Sequence, residues 1–357
     1  MTLKRTDSFK KRLGQLGIDS FLVMSPLNRR YLSGFTGTSG VLLITAKQNF
    51  LFTDFRYIEQ ATLQAPAYQI IKHGFPLTKT LEEIIKRLPI ESMGIESDFV
   101  TYKQYEELQA NLPFINILPQ ENLIESLRLV KDDEEKSNIR KAAKIADMAF
   151  LHVVDIIKPG MKEIEVALEL EFFMRSKGAS AVSFETIVAS GNRSALPHGV
   201  ASEKVIQSGD FVTMDFGCIY NGYCSDMTRT IVIGKPTDKQ KEVYNIVLEA
   251  QLKGLNTIRA GLAANEVDAK SRAYITSRGY GEYFGHGLGH GVGLNVHENP
   301  SLSPRDNTEI LTNMVITVEP GIYLSNWGGV RIEDLVVVSD TGCENLTSAT
   351  KELIIIR

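Results

Sequence analysis

Apolar positions recur along this chain at two spacings, and the spacing changes from one segment to the next. Residues 7–16 read as an amphipathic helix, 21–24 and 41–45 as short apolar strands, and 101–111 as another helix. Alternation of this kind predicts a small α/β domain over roughly the first 120 residues. The phrases NRRYLSGFTG (28–37) and FTDFRY (52–57) read as its loops. The pattern is then reset. Asp132 with Glu135 three residues on is a helix-capping pair, and Ile139, Ala142, Ala143, Ala146 and Phe150 follow at helical spacing. Thr237 with Gln240 opens another helix through Val243, Ile246, Val247 and Ala250. The expected division is 1–124 and 125–357.

The second part repeats itself. GMKEIEVALELEFFMRSKG (160–178) aligns without gaps on GLAANEVDAKSRAYITSRG (261–279), sharing both end glycines, Glu165/Glu266, Val166/Val267 and Ser176/Ser277. Downstream, SGDFVTMDFG (208–217) matches TNMVITVEPG (312–321), so Asp215 and Glu319 are counterparts. Each strand-like run is followed by a return that carries another acid, Asp226 in one half and Glu333 in the other. Asn221-Gly222 is a two-residue hairpin signal that sets residue 217 opposite 226 and Asp215 diagonal to Asp226. In the other half, 319 and 333 are symmetric about Asn326 in a Gly-rich loop.

Four acids on the inner faces of otherwise apolar strands would repel one another and desolvate at several kcal/mol per ion. For one acid alone, a solvent-facing position or an ion pair with Arg229 or Arg331 is the simpler account. For four in a repeated pattern, cations are. The four carboxylates balance two divalent ions, and oxygen-rich ligation with one imidazole suits Mn²⁺ or Co²⁺ and tolerates Zn²⁺. Hydrolytic chemistry follows, since a two-metal site generates a nucleophile from water.

The bulk properties narrow the class. A chain of 357 residues exceeds the roughly 250–300 that one core usually spans, which agrees with two domains. The formal net charge of −4, with both signs interspersed, leaves no basic stripe for nucleic acid. No apolar run marks a secretory signal or a membrane span, and Cys218, Cys224 and Cys343 have no metal-ligand spacing. A cytoplasmic protein with free thiols is expected.

The stretch FGHGLGHGVGLNVHENP (284–300) holds three of the six histidines and five glycines at alternate positions. Missing side chains would let the backbone lie close to a metal cluster and its substrate. It contains neither G-x-G-x-x-G nor H-E-x-x-H, which disfavours a dinucleotide site and a helical zinc site.

These residues resemble the pita-bread metallopeptidases, and within them the prolidase and aminopeptidase P branch. The phrases that carry the resemblance are LPHG (196–199), MDFG (214–217), SDMTRT (225–230), GHGLGHGVGLNVHE (285–298), VEPG (318–321) and RIED (331–334). NRRYLSGFTG and FTDFRY are similar to the amino-terminal domain of that branch. The resemblance implies an α/β amino-terminal domain followed by an α+β pita-bread catalytic domain with an internal pseudo-two-fold repeat. It implies Asp215, Asp226, His290, Glu319 and Glu333 as ligands of two divalent ions, Mn²⁺ first and Co²⁺ or Zn²⁺ as alternatives. It gives Glu319 the acid/base role, His198 and His297 contacts to substrate and tetrahedral intermediate, and Arg331 the bracing of an acidic ligand. His286 matches the motif away from a ligand position and is assigned to structure.

The activity implied is hydrolysis of the bond between an amino-terminal residue and proline, in Xaa-Pro dipeptides or in short peptides with proline second, by a homodimer without nucleic-acid or membrane partners. Two rivals stand beside it. A methionine aminopeptidase shares the ligand types but lacks the additional amino-terminal domain, and a catalytically silent pita-bread binding module is opposed by the intact ligand set.

Overall fold

In the structure, a computed structural model that describes residues 2–357, the chain divides into a first unit ending at Arg128 and a second unit, Leu129–Arg357. The division falls after the helix Glu125–Arg128 because that turn is bonded into the first unit. Asn28 Nδ2 donates to Glu125 Oε1, and Arg128 Nη1 donates to Asn28 Oδ1 at 2.8 Å.

The first unit is built on a six-stranded sheet. Its order is Gln69–Lys72, Asn49–Thr53, Val41–Thr45, Ser20–Val23, Ser92–Glu96 and Asn116–Gln120. Val41–Thr45 runs antiparallel to both its neighbours, and the other pairings are parallel. The helices Thr2–Leu16 and Tyr102–Asn111 agree with the sequence reading, and Thr101 and Gln104 form a capping box at the second. Two readings need correction. Of residues 52–57, expected in a loop, Phe52 and Thr53 end the strand Asn49–Thr53 and Phe55–Tyr57 form a short 3₁₀ helix. Residues 28–33, expected in a loop, belong to the helix Pro26–Ser33. Ser25 caps it, Pro26 fits its first turn, and Gly34, at φ 80°, ends it. The polar look of NRRY misleads because Asn28 and Arg29 point inward, at 0% and 3% exposure, and Arg29 donates to the carbonyls of Gly37 and Gly40.

In the second unit the sequence repeat becomes a repeat of structure. Long capped helices Asp133–Ile156 and Asp238–Thr257 are each followed by a shorter one, Glu163–Ser176 and Ala264–Ser277. The glycines bounding the repeated segment sit in corresponding left-handed conformations, Gly160 at φ 97° with Gly261 at 85°, and Gly178 at 102° with Gly279 at 85°. Lys162 N donates to Glu165 Oε2 and Ala263 N to Glu266 Oε2, both at 2.8 Å, so the shared glutamate closes the same turn twice. The sheets follow: Ile187–Ser190, Phe211–Phe216 and Met227–Ile233 in one half, Gly289–Gly291, Val315–Val318 and Asp334–Val338 in the other. Each half has its own core, one around Phe150, Leu170, Met214 and Ile231, the other around Val247, Val267, Ile316 and Val336.

Candidate functional site

The hairpin registers decide where the acids meet. Asn221 and Gly222 take φ of 45° and 78°, the paired left-handed values of a tight hairpin turn. Tyr220 pairs with Tyr223 and Phe216 with Met227, so Gly217 faces Asp226; Asp215 pairs with Thr228 and lies diagonal to Asp226. In the other half Leu324 pairs with Gly328 and Val318 with Asp334, which sets Glu319 opposite Glu333. Asn326, at φ 61°, turns that hairpin. His290 enters from the neighbouring strand Gly289–Gly291, where its N–H donates to Thr317 Oγ1 at 3.0 Å.

All five expected ligands line one cavity of about 960 Å³. His290 Nε2 lies 3.3 Å from Glu319 Oε1 and 3.6 Å from Asp226 Oδ2. Asp226 and Glu333 are buried, at 4% and 1% exposure. Burial pushes both carboxyls well above their usual range, and the neighbouring carboxylates push further. Asp215 is raised by burial too, against the pull of Arg331. Glu319 goes the other way. Burial would raise it, but the hydrogen bond and charge of His290 hold it low, and His290 is raised by the same pairing despite its own burial.

Two of the carboxylates are incompletely partnered. Arg331 Nη2 donates to Asp215 Oδ2 at 2.6 Å and Thr228 Oγ1 to Glu333 Oε2 at 2.8 Å, while Asp215 Oδ1 and Glu333 Oε1 are buried without a hydrogen-bond partner among the described residues. One donor atom each from Asp226, His290 and Glu333 lies within 4.8 Å of the others. Buried, unpaired carboxylate oxygens grouped around one imidazole call for positive charge, and oxygen-rich donors of this kind fit a hard divalent cation. Of the two arginines weighed as simple ion-pair partners, Arg331 serves Asp215, and Arg229 turns instead to Asp334 at 2.8 Å.

The family model of metallopeptidase family M24 matches residues 137–340, and that of the creatinase/prolidase N-terminal domain matches residues 5–130. The chain belongs to metallopeptidase family M24. It is 44% identical to a Xaa-Pro dipeptidase of Pyrococcus horikoshii, over 94% of this chain and 95% of that one. Among solved structures it resembles a Xaa-Pro dipeptidase from Bacillus anthracis, with 51% identity, full coverage of both chains and a TM-score of 0.98. It also resembles an X-Pro aminopeptidase from Thermotoga maritima, with 39% identity, coverage of 98% and 99%, and a TM-score of 0.92. The fold is therefore a creatinase-like amino-terminal domain followed by the pita-bread catalytic domain, and M24 membership implies divalent metal ions.

The glycines of the M24 histidine stretch serve strand packing more than access to the cluster. A Cβ on Gly289 would come within 2.0 Å of Thr317 O, and one on Gly291 within 2.3 Å of Asn299 O, so neighbouring backbones close up where side chains are missing. The chain then folds back through residues 292–297. His290 and His297, which a straight strand would send to opposite faces, end with ring centroids 4.4 Å apart. His198 and His297 are both exposed on the cavity wall.

His286 also lines the cavity, and it bonds rather than merely fills. Its Nδ1 lies 2.7 Å from Gly287 O, so that nitrogen carries the proton and Nε2 accepts from the Tyr323 hydroxyl at 2.9 Å. That hydroxyl accepts in turn from Arg331 Nη1 at 2.8 Å. Tyr323 was missed from sequence, although it stands four residues after Glu319, an even strand spacing that shares a face. Thr228 was missed as well: it links Glu333 to Arg331, from whose Nε its hydroxyl accepts at 3.0 Å.

Proposed function

We propose that this chain is an exopeptidase that hydrolyses the bond between an amino-terminal residue and proline, using two divalent cations, Mn²⁺ in the first place, held by Asp215, Asp226, His290, Glu319 and Glu333. The observation that carries the reading is the convergence of those five side chains on one cavity of an M24 chain, with buried carboxylate oxygens left over for cations. The names of the relatives as Xaa-Pro dipeptidases and X-Pro aminopeptidase support the proline specificity. When bound, such ions supply Lewis acidity and a water of lowered pKa.

The protein's own groups do the rest. Oε1 of Glu319 already accepts from Thr317 Oγ1 at 3.0 Å, and in this reading the Glu319 carboxylate takes a proton from water and returns it to the leaving nitrogen. His198 and His297 stand on the wall to hold the peptide and the charge that develops on its carbonyl oxygen. Arg331 is occupied by Asp215, Tyr323 and Thr228, so its part is to hold a ligand in place. Phe184, Ile187, Pro197 and Val200 line the same cavity and offer an apolar surface to a proline ring. Proline has no N–H and a fixed φ, so a peptidase that grips an extended backbone loses contacts that ring packing restores.

Dipeptides are the favoured substrates in this reading, with short Xaa-Pro peptides next. It further places the enzyme in the cytoplasm as a homodimer, without nucleic acid or membrane. Among the described residues no helix is long and apolar enough to cross a membrane, and the three cysteines are free. Rates on Ala-Pro, Ala-Pro-Ala, Met-Ala-Ser and Ala-Ala with Mn²⁺ test it. Loss of the ring should forfeit roughly 1–3 kcal/mol of transition-state binding, so both proline substrates should lead. A higher kcat/KM for Met-Ala-Ser would move the chain to the methionine aminopeptidase reading, and no turnover with bound metal would make it a binding module.

A further inference from the structure

Among the described residues the His297 ring has no hydrogen-bond partner, so its position is set by the backbone that carries it. That backbone is irregular. Residues 292–297 form the loop between strands Gly289–Gly291 and Glu298–Leu302, whose register slips at His290/Gly291. Against the loop, and outside the cavity lining, sits an ion pair that the reaction does not call for. Lys131 Nζ is 3.2 Å from Glu298 Oε2, with the two side chains only 1% and 8% exposed. The other oxygen, Glu298 Oε1, accepts from Asn295 N at 3.1 Å, so one carboxylate closes the loop on itself and ties it to Lys131. Gly293 makes room for this: a Cβ there would fall 2.5 Å from Glu298 Oε2.

Lys131 is held in its turn. Its N–H donates to Asn313 O at 3.0 Å and its Nζ to Leu129 O at 3.4 Å. It precedes the N-terminus of the helix Asp133–Ile156, the end at which the helix dipole disfavours a cation. Neither solvation nor the helix accounts for a buried ammonium here; Glu298 does. Successive side chains at the start of a strand face opposite ways, so clamping Glu298 on the inner side directs His297 to the cavity.

The geometry points to Lys131 and Glu298 as a pair of positioning residues for His297. Neither lines the cavity, and both act through the loop. The inference rests on the role given to His297 under Proposed function.

A double-mutant cycle separates positioning from simple stability. Turnover is measured per folded, Mn²⁺-loaded enzyme for Glu298→Gln, Lys131→Met, His297→Ala and the combinations with His297→Ala, with bound metal and KM measured alongside. Glu298→Gln and Lys131→Met should each lower kcat on the order of 10- to 100-fold, as misplacement of a reacting group does, with metal content unchanged. In the His297→Ala background the same changes should lower kcat no further. If a single variant does not fold, Lys131→Met with Glu298→Leu leaves no unpaired buried charge and carries the same test.

The inference is overturned if His297→Ala lowers kcat while Glu298→Gln lowers only the melting temperature. It is equally overturned if the factors simply multiply. A His297→Ala variant with normal turnover overturns the role of His297 itself, and this inference with it.

Discussion

At the scale of single residues the centre is a place where stability is given up for chemistry. Asp215 Oδ1 and Glu333 Oε1 are buried without hydrogen-bond partners among the described residues, and burial together with neighbouring carboxylates pushes Glu333 well above its usual range. Glu333→Gln removes one of four crowded acids without changing shape. In chelator the variant should melt higher than the parent, by roughly 2–4 °C for each kcal/mol of relieved repulsion, while its turnover with Mn²⁺ should vanish. A lower melting temperature in chelator would count against cation binding as the reason the acids are gathered. Thr228 offers a gentler probe, since its hydroxyl donates to Glu333 and accepts from Arg331. Thr228→Val should weaken Mn²⁺ binding about 10- to 100-fold, the usual cost of losing a partner of a ligand, and a metal titration would show it.

At the scale of elements, close packing of backbones is what the glycine pattern secures. Gly289→Ala would drive a Cβ into Thr317 O, a main-chain atom that cannot swing aside, and should cost about 1–3 kcal/mol in a denaturant melt. Gly285 has nothing within 4 Å of that position, so Gly285→Ala is the control and should be near neutral. A second element-scale feature lies behind Glu333. Asp334 is fully buried and accepts from Arg229, Lys351, Gln251, Asn345 and Thr347.

Burial alone would raise the Asp334 carboxyl, but Arg229 and Lys351 outweigh it and hold it below its ordinary value. Its contribution is therefore complete above an unfolded pKa of about 3.9 and is lost as pH falls through the lower folded value. Lys351→Met should lower the melting temperature clearly at pH 7 and much less at the acid end; an equal loss at both would refute the assignment. The registers that set these acids were legible in sequence, because Asn221-Gly222 and the symmetry about Asn326 fix hairpin pairing by counting. The approach of His297 to His290 was not, since it depends on an irregular loop braced by a side chain from outside it. Nor was the helix Pro26–Ser33, whose inward-facing Asn28 and Arg29 disguise its buried side.

At the scale of the whole second unit, the two halves of the repeat build two cores and meet at the acid cluster as well as through the buried Arg229–Asp334 pair. Asp215 and Asp226 come from the first half, and His290, Glu319 and Glu333 from the second. In the proposed reading, cations held between them would bind the folded arrangement and not the unfolded chain, and would stabilise it by mass action, about 2.7 kcal/mol when free metal stands at a hundredfold its Kd. The melting temperature should therefore climb with the logarithm of Mn²⁺ concentration and fall back in chelator. The repeat sharpens this, because a centre divided between halves needs both. Asp226→Ala, from one half, and Glu333→Ala, from the other, should each abolish most of the metal-induced rise while leaving a folded protein, and each should abolish turnover. Scanning calorimetry across a Mn²⁺ series would check it. A full metal-induced rise in either variant would place the cation within one half alone and would break the link between the repeat and the site.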